Sequence, residues 1–237
     1  MAGPVQTPWN REEARPAGLS RETIVSAAIE IADEEGIEAV SIRRIATKLE
    51  TRPMSLYSHI EHKGELVDLM IDEVMGEALL PGAVPSDWRE ALRQIAQRTR
   101  AAARAHPWMI ATAFRRPLLG PQALRHIDQS LAAVSTLDLP FDRKRAVLLS
   151  VDTYTLGYVR WEVLSPHSKA NRCAAGSDEL PSHEQIDAYL REQVEGGEYP
   201  HLAAIAASEL TLGVTPESFE AGLEWLLAGI ANEVAGG

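Results

Sequence analysis

Apolar residues recur along this chain at spacings of three and four, the repeat of one helix face, over most of its length. The first clear stretch is "LSRETIVSAAIEIADEEG", where Ile24, Ala27, Ala28, Ile31 and Ala32 fall on one side. Ser20 stands where a hydroxyl can accept from a free amide of the first turn, and Gly36 where a helix ends without a Cβ penalty. Ser41 is placed to cap a second helix, "IRRIATKL", with Ile42, Ile45, Ala46 and Leu49 inward and Arg43, Arg44 and Lys48 outward. Pro53 opens a short third helix, where its missing N–H costs nothing; Leu56, Tyr57 and Ile60 supply the apolar side. A fourth helix runs from Lys63 to about Leu80 and ends at "LPGAVPSD".

The same spacing predicts helices over 88–105, 108–114, 121–137 and 142–164, then "HEQIDAYLREQV" behind a Ser182 cap, a short piece over 202–210 and a last helix over 216–234. The polar, small-residue stretch "SPHSKANRCAAGSDELPS" reads as a mobile loop, and residues 1–19, with three prolines and two glycines, as a flexible arm. No stretch carries a strand pattern or a repeat. The fold class is all-α, with about ten helices.

Composition narrows the function. Apolar residues make up 45% of 237, enough to bury a real core. The net charge of −11 argues against a surface that coats nucleic acid along its whole extent. The charge is uneven, however. Between Ser41 and Lys63 five basic residues (Arg43, Arg44, Lys48, Arg52, Lys63) stand against Glu50 and Glu61, a local balance of +3 that leaves −14 elsewhere. Cys173 is the sole cysteine, so no intrachain disulfide forms. The first residues contain no apolar signal segment, and no run approaches the ~18 residues of a membrane span. A cytoplasmic protein is expected, with no membrane partner and no cofactor.

The positive island coincides with two helices joined by a tight turn. In a helix-turn-helix the second helix enters the major groove and its first residues reach base edges. Arg52 precedes that helix and suits guanine or phosphate; Pro53, Met54 and Ser55 allow close backbone approach; Tyr57, Ser58 and His59 can donate to phosphates or bases. Lys63 and the free amides at the next helix start suit a phosphate. His59-x-x-His62 has a spacing that some metal sites use, but no further ligand completes a set, so no metal is expected. No nucleophile elbow, phosphate-cradling glycine loop or Cys–His pairing points to an enzyme.

The block from Thr23 to Met70, with its alanine-rich first helix ending at Gly36, "SIRRIATKL" and "LYSHIEHKGEL" at unbroken spacing, resembles the DNA-binding domain of the TetR family of transcriptional regulators. The resemblance implies that Arg43, Arg52, Met54, Ser55, Tyr57, Ser58, His59 and Lys63 face DNA. It departs at Glu50, where the family carries glycine in the turn. If that residue is left-handed, its side chain costs roughly 1–2 kcal/mol.

The resemblance also implies an architecture: a flexible arm (1–19), a three-helix helix-turn-helix domain (20–66), and a long helix leading into an α-helical ligand-binding and dimerisation domain (67–237). The partners it implies are a palindromic double-stranded operator, a small-molecule inducer and a second copy of the chain. The expected function is a sequence-specific repressor released by its ligand; an activator or a non-specific DNA binder of the same fold is the alternative. The stripe Phe219, Leu223, Leu226, Leu227, Ile230 and Val234, with Gly222 and Gly229, suits a dimer interface, and "RAVLLSVDTYTLGYVRWEVL" its partner helix. Trp108, Met109, Phe114, His126, Asp152, Tyr154, Tyr158 and Trp161 are the candidate ligand residues. "HPWM" and "YPHLAAIA…SFEAGLEWLLAGI" resemble the C-terminal domain type of the tetracycline repressor. That repressor reaches its drug and magnesium through histidines, where this chain has Leu79, Ile95 and Ala113, so neither tetracycline nor a metal is expected as inducer.

Overall fold

The computed structural model describes residues 7–9, 19–113, 117–164, 183–195, 197–206 and 215–236. Phe114, Ser182 and the expected loop at 165–182 with Cys173 lie outside them. The described residues form eleven α-helices and one short 3-10 turn, with no strand among them. The helices are α1 (Arg21–Glu35), α2 (Ile42–Lys48), α3 (Pro53–Leu56), α4 (Lys63–Glu77), α5 (Trp88–Ala105), α6 (Trp108–Ala113), α7 (Pro121–Val134), α8 (Phe141–Leu164), α9 (His183–Glu195), α10 (Pro200–Ala206) and α11 (Pro216–Gly236). No described helix is long and apolar enough to cross a membrane.

Local chemistry sets the helix starts. The Ser20 hydroxyl accepts from the Thr23 amide at 3.2 Å, and the Ser41 hydroxyl from the Arg44 amide at 3.2 Å. Asp87, which the spacing does not single out, caps α5 by accepting from Arg89 and Glu90. Gly36 ends α1 at φ +88°, a conformation that favours glycine.

Two cores follow. The first packs α1, α2, α3 and α4 through Ile24, Ala28, Ile31, Ile45, Leu56, Leu66 and Met70, and reaches along α4 to Ala78. Helix α4 packs on α1 and also on α5 and α7, so it belongs to both halves of the chain. Trp9 also packs against this core, and Arg21 donates to the Pro8 carbonyl at 3.0 Å, so residues 7–9 of the expected arm are docked. The second core joins α5, α7, α8 and α11 through Leu92, Ile95, Val134, Val151, Phe219, Leu223 and Leu227. Trp108 and Met109 of α6 belong to the first core, so α6 forms the seam between the two.

Candidate nucleic-acid interface

The turn between α2 and α3 is built on Glu50, which sits at φ +50°. The Glu50 amide donates to the Thr47 carbonyl at 3.2 Å and the Thr51 amide to the Ala46 carbonyl at 2.9 Å. These are the paired bonds of a left-handed helix C-terminus, which satisfy two carbonyls that α2 would otherwise leave open. The turn thus takes the left-handed form that glycine favours, with a glutamate in it, at a backbone cost.

Helix α3 begins after Arg52 with Pro53 in its first turn, and Ser55 donates its amide to the Arg52 carbonyl at 2.9 Å. Arg52, Pro53, Met54, Tyr57 and Ser58 are exposed and Ser55 half-buried, with Met54 at 76%. Leu56 and Ile60 anchor the helix from beneath. Arg43 on α2 and Lys63 at the start of α4 are also exposed, so all three elements contribute to one candidate surface.

The five basic residues of the island divide into two groups. Arg44 is paired with Glu35, and Lys48 with Glu30 at 2.8 Å; both carboxylates lie on α1. These two cations fasten α2 to α1. Arg43, Arg52 and Lys63 are exposed and pair with no carboxylate among the described residues.

His59 departs from the expectation. It is 1% exposed, between the buried Leu56 and Ile60, so its ring fills the head instead of facing DNA. Its place in the helical repeat, three residues after Leu56, accounts for this. At the start of α4, His62 acts as cap: its Nδ1 accepts from the Glu65 amide at 2.9 Å, while Glu65 accepts from the Glu61 amide at 2.8 Å. Amides of that turn are therefore partly used internally. Among the described residues no cluster of His, Cys, Asp and Glu could hold a metal.

The seven candidate ligand residues among those described do not gather in one place. Trp108 and Met109 sit in the head-side core. Tyr154 and Tyr158 pack on Phe219 with ring centroids 5.5 and 5.2 Å away, and their hydroxyls donate to the Phe219 carbonyl at 2.8 Å and the Thr215 carbonyl at 2.7 Å. Both hydroxyls tie α8 to α11. Trp161 is 70% exposed, so it lies on the outer face of α8 and not in an interior cavity. Two residues keep the character of interior polar contacts. His126 is buried beside the Thr99 hydroxyl, 3.2 Å from Nε2, and burial pushes its pKa down. Asp152 is half-buried, and desolvation pushes its carboxyl up to about 6.

The α11 stripe needs correction too. Phe219, Leu223 and Leu227 are fully buried in this chain's own core, and Leu226, Ile230 and Val234 are half-buried along its edge. A residue already out of water has no surface left to bury on a partner. Gly222 serves the same core: a Cβ there would lie 2.3 Å from the Tyr154 hydroxyl. The outward face is different. Trp225, Ala228, Gly229 and Asn232 are exposed on α11, and Ala146, Leu149, Thr153, Gly157 and Trp161 on α8.

Comparison with known proteins agrees with this architecture. The family model described as tetracyclin repressor-like, C-terminal domain, matches residues 80–234. The chain is 34% identical over 222 residues to the HTH-type transcriptional repressor DrrR1 of Streptomyces coeruleorubidus, covering 92% of this chain and 79% of that one. It is 30% identical over 224 residues to an HTH-type transcriptional regulator of Saccharopolyspora erythraea, covering 94% and 89%. The structure of ActR from Streptomyces coelicolor in complex with actinorhodin aligns at a TM-score of 0.72 and 27% identity, over 92% of this chain and 99% of that one. An exposed reading turn on a left-handed hinge, an all-helical second core, and these relatives together place the chain in the TetR family of transcriptional regulators.

Proposed function

We propose that this regulator is a dimeric repressor that binds a palindromic operator through α2, α3 and the start of α4, and that a small organic ligand in the C-terminal domain releases it. The observation that carries the reading is the sorting of the positive island. Arg44 and Lys48 are paired inside the head, while Arg43, Arg52 and Lys63 stand unpaired around an exposed α3. A single head of this size reads few base pairs, so specificity calls for two copies at half-sites about 34–36 Å apart. The outward faces of α8 and α11 are the surfaces that would meet in such a dimer. Arg52 and Ser55 would read bases, Arg43, Tyr57, Ser58 and Lys63 would hold phosphates, and His126 and Asp152 would contact the ligand. The ActR complex makes actinorhodin a suitable first ligand to try. A ligand shifts such a regulator only by binding one conformer better than the other.

The test is selection of bound duplexes from a random DNA library at physiological salt, followed by competition with actinorhodin and related compounds. The reading expects a palindrome with half-sites one helical turn apart and its release by at least one compound. Enrichment of no sequence would overturn it.

A further inference from the structure

The corner between α5 and α6 carries a polar cluster that the DNA face and the ligand candidates do not use. His106 ends α5 with backbone angles that break the helix, φ −122° and ψ 70°. The residue is 8% exposed, and each ring nitrogen faces a carboxylate from a different helix. Nδ1 lies 2.8 and 3.0 Å from the two Asp33 oxygens at the end of α1, and Nε2 lies 3.2 and 3.3 Å from those of Glu77, the last residue of α4. The Trp108 indole N–H, at the start of α6, donates to Asp33 at 2.8 Å. The ends of α1, α4 and α5 and the start of α6 therefore meet at this cluster.

We infer that His106 is a positioning residue for operator binding, the joint through which the C-terminal domain fixes the orientation of the DNA-reading head. The inference rests on the repressor reading above. Other polar ties across the seam reach the end of α4 and the residues just after it: Arg98 of α5 donates to the Glu77 carbonyl at 2.6 Å, and the Gln129 amide brackets Leu80, accepting from its N–H at 3.0 Å and donating to its carbonyl at 3.2 Å. The His106 cluster reaches α1 as well. Helix α1 in turn shares its apolar core with α2 and pairs with it through Glu30 and Glu35, which links His106 to the reading turn. The two ring nitrogens thus reach carboxylates on two different helices, both of which keep part of their surface in solvent. Glutamine offers a donor at one end and an acceptor at the other. It can hold Asp33 or Glu77, but not both.

The test uses the full chain with Cys173→Ser and spin labels at Thr47→Cys on α2 and Asp128→Cys on α7, both exposed, diluted with unlabelled protein. The distance distribution between the labels is measured with His106 intact and with His106→Gln. In parallel, affinity for the selected palindrome and for a scrambled duplex is measured for both. The distribution is expected to broaden or shift in His106→Gln. Palindrome binding is expected to weaken by about 5- to 100-fold, the range of ordinary coupling between sites, while scrambled-duplex binding holds. An unchanged distribution overturns the inference, and so does an equal loss on both duplexes. If the wild type selects no palindrome, the repressor reading fails, and the label distances still decide whether His106 orients the head.

Discussion

Asp72 of α4 is the cap of α7, and Gly120 is the residue that lets it in. The Asp72 carboxylate accepts from the amides of Gln122 and Ala123 at 3.0 and 2.9 Å, while a Cβ at Gly120 would lie 2.1 Å from the same oxygen. Helix α7 carries no side-chain cap from its own N-terminal residue, so a helix of the reading head supplies it. Gly120→Ala is expected to push Asp72 out and cost about 2 kcal/mol. Asp72→Ala leaves the two amides open and is expected to cost about 1–2 kcal/mol. Urea unfolding of the two variants measures both. If the cap is the whole effect, the double variant will lose no more than the larger single loss.

Glu50 at φ +50° is a second local cost. Glu50→Gly is expected to raise stability by about 1 kcal/mol, since glycine takes this conformation without a Cβ clash. Glu50→Ala is expected to bring no such gain. Thermal melting of the pair separates backbone strain from loss of the charge; equal melting temperatures would remove the strain argument.

The two kinds of cation in the head make opposite predictions. Arg43→Ala and Lys63→Ala are expected to weaken binding to every duplex alike and to reduce the salt slope by about 1 each. Arg44→Ala breaks the exposed pair with Glu35 and is expected to lower stability only slightly, with the salt slope unchanged. Arg52→Ala is expected to cost about 1–3 kcal/mol on the selected palindrome and to relax preference at one base position. Titrations at several salt concentrations distinguish these outcomes.

Legibility follows whether a residue's partner lies nearby in the chain. The caps at Ser20 and Ser41 and the left-handed turn at Glu50 involve residues within five positions of each other, and the pattern alone points to them. The chemistry of His59 points to DNA, although its position after Leu56 places it on the buried side. The α11 stripe is legible as a stripe. Whether it faces a partner or this chain's own α5 and α8 depends on tertiary packing that periodicity does not encode. His106 stands in view in "HPWM", yet its partners lie 73 and 29 residues earlier, and nothing in spacing joins them. Asp72 escapes for the same reason, about fifty residues from the amides it caps.

Asp152 makes stability depend on pH. Burial holds its carboxyl at about 6, above the ~4 of an unfolded aspartate. Between those values the folded chain binds the extra proton, so stability from this group falls as pH rises from about 4 to about 6 and stays low above. Asp152→Asn removes the penalty. It is expected to be more stable than wild type by about 2 kcal/mol at pH 7 and indistinguishable at pH 4. Denaturation curves at the two values provide the check; the same difference at both would mean that packing, and not charge, separates the variants.

The correction to the α11 stripe leads to a contrast between neighbours on one helix. Phe219 is buried beneath Tyr154 and Tyr158, with the Arg100 guanidinium 4.4 Å from its ring centroid, whereas Trp225 is 77% exposed. Phe219→Ala is expected to lose about 3–5 kcal/mol of folding stability whatever the oligomeric state. Trp225→Asp leaves the fold intact and places a charge on the face proposed to meet a second copy. It is expected to shift the protein from dimer to monomer in light scattering after size exclusion, with a helical circular-dichroism spectrum like that of the wild type. A Trp225→Asp chain that still runs as a dimer would place the contact elsewhere. A loss of helical signal would show that Trp225 contributes to the monomer despite its exposure.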